Sequence, residues 1–380
     1  MKRSVKISIL LVLVLLFTNC EKRESNILYD KQYIEEIKAA REKVGFFLAR
    51  NSIPGATIAI SRNGKIIYSE GIGLASKELE VPATRKTKFR IGNASELFTS
   101  FIYLKMVEEG KLHPDSSIQH YLPDFPKKEY RINLQHLVNH TSGIREATNT
   151  EENWGALNVT IQKGLDSFKN DPLDAYPGLY QTPSMFNYNL LGAIMEKVTD
   201  TRFPRILEAY VTDTLHLTNT VVDNPQRIIM GRTQFFDLNL IAQTINASSR
   251  DMRYKASSTG ILSNAEDLAK FGHAIIQSDL LSEDTKKNMF EPVPLFDDIP
   301  SEMVNGWLLL IDSSNNTIYG KSGNVTGGTA SIIIYPEYDL VIACATNLST
   351  SINDTPVFEV AALFLPESAK NKQEEKEPGK

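Results

Sequence analysis

Ala56-Thr57-Ile58-Ala59-Ile60-Ser61-Arg62-Asn63-Gly64-Lys65-Ile66-Ile67-Tyr68-Ser69-Glu70 decides the fold. Residues 56–61 and 65–70 are β-rich runs joined through Asn63-Gly64, and Asn-Gly between two such runs is a strong hairpin signal because both turn residues must take positive φ. The other end of the chain answers with more strands. Residues 306–311 and 317–321 flank a polar turn at 313–316, and 329–335 and 340–346 are joined through Pro336-Glu337-Tyr338-Asp339. Between these ends the period changes. Helices are expected over 31–49 with Asp30 as cap, over 94–109, over 188–198, and over 264–276 with Ser263 and Glu266 as a capping box. The 94–109 segment is apolar on nearly every face, which predicts a buried central helix. A last amphipathic helix covers 357–365. Strands at both ends around a helical middle imply an α/β fold of the α+β type. It has one antiparallel sheet closed by the two chain ends, helices on its faces, and a mostly helical insertion lobe at about 94–290. A cleft between the two lobes is the natural place for a ligand.

The flanks read differently. Lys2, Arg3 and Lys6 precede an apolar run over 7–17 that is shorter than the ~20 residues needed to cross a bilayer and suits the core of an export signal. It ends Leu16-Phe17-Thr18-Asn19-Cys20, which resembles a bacterial lipoprotein box. Residues 1–19 are therefore expected to be a lipoprotein signal peptide, Cys20 the lipidated residue, and 20–30 a tether. The expected location is the bacterial envelope, on the periplasmic face or the cell surface, with the lipid on Cys20 holding the chain to the membrane. The core domain is expected over 31–368, and 369–380 is a charged tail unable to build a core. Hydrophobic residues make up 42% and charged residues 23%, as in globular proteins, which excludes global disorder. Net charge is −5, and loss of residues 1–19 removes three cations and no acid. An acidic chain without a basic cluster argues against a nucleic-acid partner. The other cysteine, Cys344, lies in an apolar run and reads as a buried strand residue; no disulfide, cofactor or zinc spacing is present.

Several framework stretches occur in order: Ile53-Pro54-Gly55-Ala56, Phe89-Arg90-Ile91-Gly92, Leu137-Val138-Asn139-His140-Thr141-Ser142-Gly143, Tyr188-Asn189-Leu190-Leu191-Gly192, Gly260 to Leu268, Lys321-Ser322-Gly323 and Thr346-Asn347. Together they resemble the serine β-lactamase and penicillin-binding protein superfamily, in its class C and esterase-like branch, over about residues 33–366. The resemblance implies three catalytic clusters. They are a Ser-x-x-Lys with the nucleophile at a helix N-terminus and a lysine one turn on, a Tyr-x-Asn from the helical lobe, and a Lys-Thr-Gly-like triad on a strand.

Two of the three are replaced. Asn93 stands where the serine should be and Glu96 where the lysine should be, and no Ser-x-x-Lys occurs anywhere in the chain. Pro183 and Met185 occupy the Tyr-x-Asn positions, with Ser184 between them. At a helix start, Asn93 and Glu96 read as a capping box worth about 1 kcal/mol. The third cluster remains: Lys321-Ser322-Gly323 is expected to end a strand, followed by a tight turn at 324–328. The resemblance places the amides of Asn93 and Asn324 at oxyanion-hole positions. Lys321, Ser322, Gly323, Asn324 and Asn93 are thus candidates to hold an anionic, acyl or peptide ligand, against the plain reading of a strand-end lysine in solvent. His136 and His140 have i, i+4 spacing but no glutamate between them, so a hydrogen-bonded framework role is favoured over a metal. The leading expectation is a catalytically silent relative that acts by binding a ligand or a protein partner, whose identity the sequence does not give. The alternative is a serine hydrolase using Ser184, Ser322 or Ser142.

Overall fold

The structure, a computed structural model, describes residues 26–152, 160–277, 279–351 and 354–370. The segment expected to be a signal peptide, Cys20 and most of the expected tail lie outside them. No helix among the described residues is long and apolar enough to cross a membrane.

The fold is mixed α/β around one antiparallel sheet. Its main path is built of β1 Ile27–Tyr29, β2 Gly55–Arg62, β3 Lys65–Ser76, β4 Met303–Val304, β5 Trp307–Ile311, β6 Thr317–Val325, β7 Gly328–Tyr335 and β8 Leu340–Thr346, and the short strand Val81–Pro82 pairs with β3 off that path. Those on the path stand in the order β1-β3-β2-β8-β7-β6-β5-β4, so the N-terminal hairpin adds its β2 edge to β8. The β2–β3 turn is the one its residues demand: Asn63 and Gly64 have φ of 47° and 74°.

β8 shows why the terminal strands are legible. It pairs on both sides, with β7 and with β2, and every residue is buried. Side chains alternate across a strand. Leu340, Ile342 and Cys344 join the core under α1 Ile34–Arg50 and α5 Val357–Phe364, whereas Val341, Ala343 and Ala345 join the core of the helical lobe. A strand covered on both faces reads as an unbroken apolar run. The second face carries α4 Ala265–Gln277. Beyond it lies α2 Ser95–Glu108, wrapped by α3 Met185–Thr199 and apolar all round as expected.

Four local expectations need correction. Asp30 caps a short 3-10 turn ahead of α1, but Asn264, not Ser263, caps α4: its Oδ1 accepts from the Asp267 amide at 2.8 Å, while Glu266 holds Arg85 and Lys270. The middle also contains short strands. Phe89–Arg90 pairs with Ile261–Ser263, which pairs with Val221–Val222, and Phe236–Leu238 forms a hairpin with Thr244–Asn246. β6 runs on to Val325, two residues past Gly323 and into the expected turn, because Asn324 and Val325 pair with Thr329 and Gly328. Finally, Ala369 is buried and its carbonyl accepts from Asn316, so ordered structure passes residue 368.

Candidate functional site

The corner before α2 is built by backbone contact. Arg90 is fixed by Asp223 (2.8 Å), by the Thr326 carbonyl (2.9 Å) and by stacking on Phe235. Gly92 then takes φ of 53°, and the chain enters a 3-10 turn, Gly92–Ala94, that leads into α2. A Cβ on Gly323 would lie 2.1 Å from the Ile91 carbonyl oxygen and 2.6 Å from the Asn93 nitrogen; one on Gly92 would lie 2.6 Å from the Asn324 nitrogen. Only glycine allows β6 and the α2 entry to touch main chain to main chain. The amides of Asn93 and Asn324 therefore belong to neighbouring backbones.

The capping box does not form. Asn93 lies half-buried inside the 3-10 turn, and the residue at the α2 N-cap, Ala94, makes no side-chain cap bond. Glu96 turns inward instead. Its Oε2 accepts from Lys321 Nζ at 2.6 Å and lies 3.3 Å from His140 Nε2. The Glu96, Lys321 and His140 side chains are 1, 4 and 1% exposed. His140 Nδ1 receives the Ser184 amide and the Asn187 Nδ2, each at 3.2 Å, so its proton sits on Nε2 and is donated to Glu96. Burial pushes the Glu96 carboxyl up, but the charge on Lys321, helped by His140, overcomes it and holds the group below its ordinary value. Glu96 Oε1 is buried with no hydrogen-bond partner. Tyr188 leans on His140, with ring centres 5.0 Å apart, and donates to the Val138 carbonyl; burial first, then the Glu96 charge, pushes its phenol well above the usual value.

The space beside Lys321 is covered. Met303 is buried with its sulfur 3.6 Å from Lys321 Nζ. The Gln181 side chain holds Met303 at both main-chain groups, accepting from its N–H at 2.9 Å and donating to its carbonyl at 2.6 Å, and it also donates to the Asn139 carbonyl. Asn139 Oδ1 in turn accepts from the Asn305 amide. β4 is thus fastened to the helical lobe across the line where a cleft was expected.

The remaining candidates have structural employment. Pro183 is exposed and Met185 buried, and neither offers a proton-transfer group. Ser184 caps α3, accepting from the Phe186 amide and donating to the Arg145 carbonyl at 2.7 Å. Ser142 donates to Asn187 and accepts from the Ile144 amide. Ser322 is opposite Ser331 and bonds it at 2.8 Å, on the face of β6 away from Lys321, and Ser331 is bonded by Thr355. Asn324 is exposed and donates to the Thr350 carbonyl. Gly323 serves the close approach. His136 accepts from the Asn133 amide at a helix start, so the two histidines of the i, i+4 pair face different partners. Sequence reasoning weighs Tyr180-Gln181-Thr182 only as a displaced Tyr-x-Asn that lacks its asparagine, and His140 only as hydrogen-bonded framework, and so misses the bonds that Gln181 and His140 make at the site. The only available signal was charge: an acid at 96 opposite a retained Lys321.

Three comparisons fit this geometry. A family model described as Beta-lactamase matches residues 33–361. The human serine beta-lactamase-like protein LACTB, mitochondrial, is 27% identical over 64% of this chain. The chain spans 57% of that protein's length, a little over half. Among solved structures, the octameric penicillin-binding protein homologue from Pyrococcus abyssi aligns with a TM-score of 0.75 at 22% identity, covering 90% of this chain and 79% of that one. A class C beta-lactamase aligns at 0.73 and 17%, covering 89% and 99%. With the family model spanning almost the whole described fold, the chain belongs to the Beta-lactamase family.

Proposed function

We propose that this chain is a catalytically silent member of its family, held at the bacterial envelope by lipid on Cys20, which acts by binding a partner instead of turning over a substrate. The observation that carries the proposal is the buried Glu96–Lys321 ion pair. Glu96 lies where the nucleophile's lysine would be, and it neutralises the cation that would otherwise receive an anionic substrate. An anionic or acyl ligand at Lys321 would have to displace Glu96 and lift Met303, leaving a buried carboxylate without its counter-charge. The geometry therefore favours a partner on the outer surface over a small molecule in the old cleft. Every serine weighed as a substitute nucleophile is bonded within the fold, to the Arg145 carbonyl, Asn187 or Ser331, and none of these partners is a lysine amine.

The test is turnover of nitrophenyl esters, a chromogenic β-lactam and D-amino-acid amides by purified protein. The expected rate is that of buffer. Hydrolysis that disappears in Ser322→Ala or Ser184→Ala would make the chain a hydrolase with a displaced nucleophile.

A further inference from the structure

The hairpin Phe236–Leu238/Thr244–Asn246 ends in two exposed aliphatic side chains: Leu240 is fully exposed and Ile241 is 73% exposed. Scattered exposed aliphatics are ordinary, but this tip is built to present them. The Asn239 side chain accepts from the amides of Ile241 and Gln243, and its own amide donates to the Gln243 carbonyl. The hairpin is tied to the turn after β3. Asn246 donates to Glu78 at 2.7 Å, and Gln234 bonds Asn246, Ser76 and the Ala75 carbonyl. That turn exposes Leu79 (76%) and Val81 (44%).

The chain enters at the same end. β1 runs antiparallel to β3 with Ile27 opposite Glu70, so Asn26 lies by Gly71, on the side of β3 that leads to Ser76. Its side chain donates to the Gly71 and Ala83 carbonyls and accepts from the Arg85 amide. Only residues 21–25 separate Asn26 from Cys20, a reach of at most about 20 Å. A lipid on Cys20 therefore brings this end of the molecule to the bilayer.

We infer that the Leu240–Ile241 tip seats in the membrane surface and sets the orientation of the anchored protein. The inference rests on lipidation of Cys20. Lys77, Arg85 and Lys86 are interleaved with Glu78 and Glu80, so apolar insertion rather than attraction to anionic headgroups drives the seating.

The test uses the full chain recovered with its lipid, checked by intact mass at Cys20, and placed in phosphatidylcholine vesicles. A polarity-sensitive dye on Ile241→Cys should shift to the blue and be quenched by brominated acyl chains, whatever the share of phosphatidylglycerol. The same dye on Phe46→Cys, exposed on α1, should not respond. In the unlipidated Cys20→Ser chain, Leu240→Asp/Ile241→Asp should lower vesicle partitioning roughly tenfold or more. An unresponsive dye at 241 on a chain that does carry the lipid overturns the seating and leaves the anchor standing. Absence of lipid on Cys20 removes both. A blue shift without vesicles that grows with protein concentration would assign the tip to a second copy or a protein partner.

Discussion

Replacing Glu96 by glutamine tests the site at its centre. The substitution keeps the shape, removes the charge, and leaves Lys321, 4% exposed, without its counter-ion. His140 keeps an oxygen to donate to, so the loss isolates the ion pair. Removing one partner of a buried pair costs about 3–5 kcal/mol. At about 2 °C per kcal/mol for a domain of this size, the melting temperature should fall by roughly 6–10 °C. Lys321→Met leaves Glu96 buried with only the His140 N–H and should cost a similar amount. Glu96→Gln/Lys321→Met removes both charges together, and such double replacements are often neutral or stabilising. It should return to within about 1 kcal/mol of the parent, a coupling of about 5 kcal/mol or more. Urea and thermal unfolding of the four proteins at pH 7 measure the cycle. Single losses below about 1 kcal/mol, or a double variant that loses their sum, would refute the reasoning, because the pair would then be neither buried nor coupled.

Other outcomes follow from the same coordinates. Because the Glu96 carboxyl is held below its ordinary value, its stabilisation is complete above the unfolded carboxylate's value near 4.5 and is lost as pH falls through the lower folded one. The parent should lose stability below about pH 4.5 more steeply than the Glu96→Gln/Lys321→Met protein, compared by acid titration of the urea midpoint. Gly323→Ala places a methyl 2.1 Å from the Ile91 oxygen, against main chain on every side; it should destabilise by about 3 kcal/mol or more or prevent folding, as soluble yield and melting temperature will show. Gln181→Ala removes three hydrogen bonds to main chain and should cost about 2–3 kcal/mol while speeding hydrogen exchange at Met303 and Asn305. Burial pushes the Cys344 thiol up to about 12; it should resist iodoacetamide in the folded protein and react only in denaturant.

Most of the sheet is legible in the residues themselves, for a physical reason. β2, β7 and β8 are buried on both faces, so each is a short stretch rich in apolar and β-branched residues and bounded by turn chemistry, and Asn63-Gly64 announces its own turn. α2 is legible because it is apolar all round. The two- and three-residue strands at Phe89–Arg90, Val221–Val222 and Ile261–Ser263 are too short to carry a period. Asn264 took the cap from Ser263 because the two side chains have almost equal cap preference and tertiary packing chooses between them. The site was half legible. The loss of serine and lysine at 93 and 96 can be read directly, but the partner of Glu96 cannot. A local cap satisfied the sequence pattern, while Lys321 lies 225 residues away and outcompeted it by charge. Gln181 gave no signal, since its three bonds go to main-chain atoms that carry no sequence identity.

Intact-mass analysis after incubation with a penicillin and, separately, a fluorophosphonate tests the silent-site account most directly. The account predicts an unmodified mass at saturating reagent and long exposure, for the parent and for Gln181→Ala alike. One stoichiometric adduct, abolished by substitution of a single serine, would contradict it.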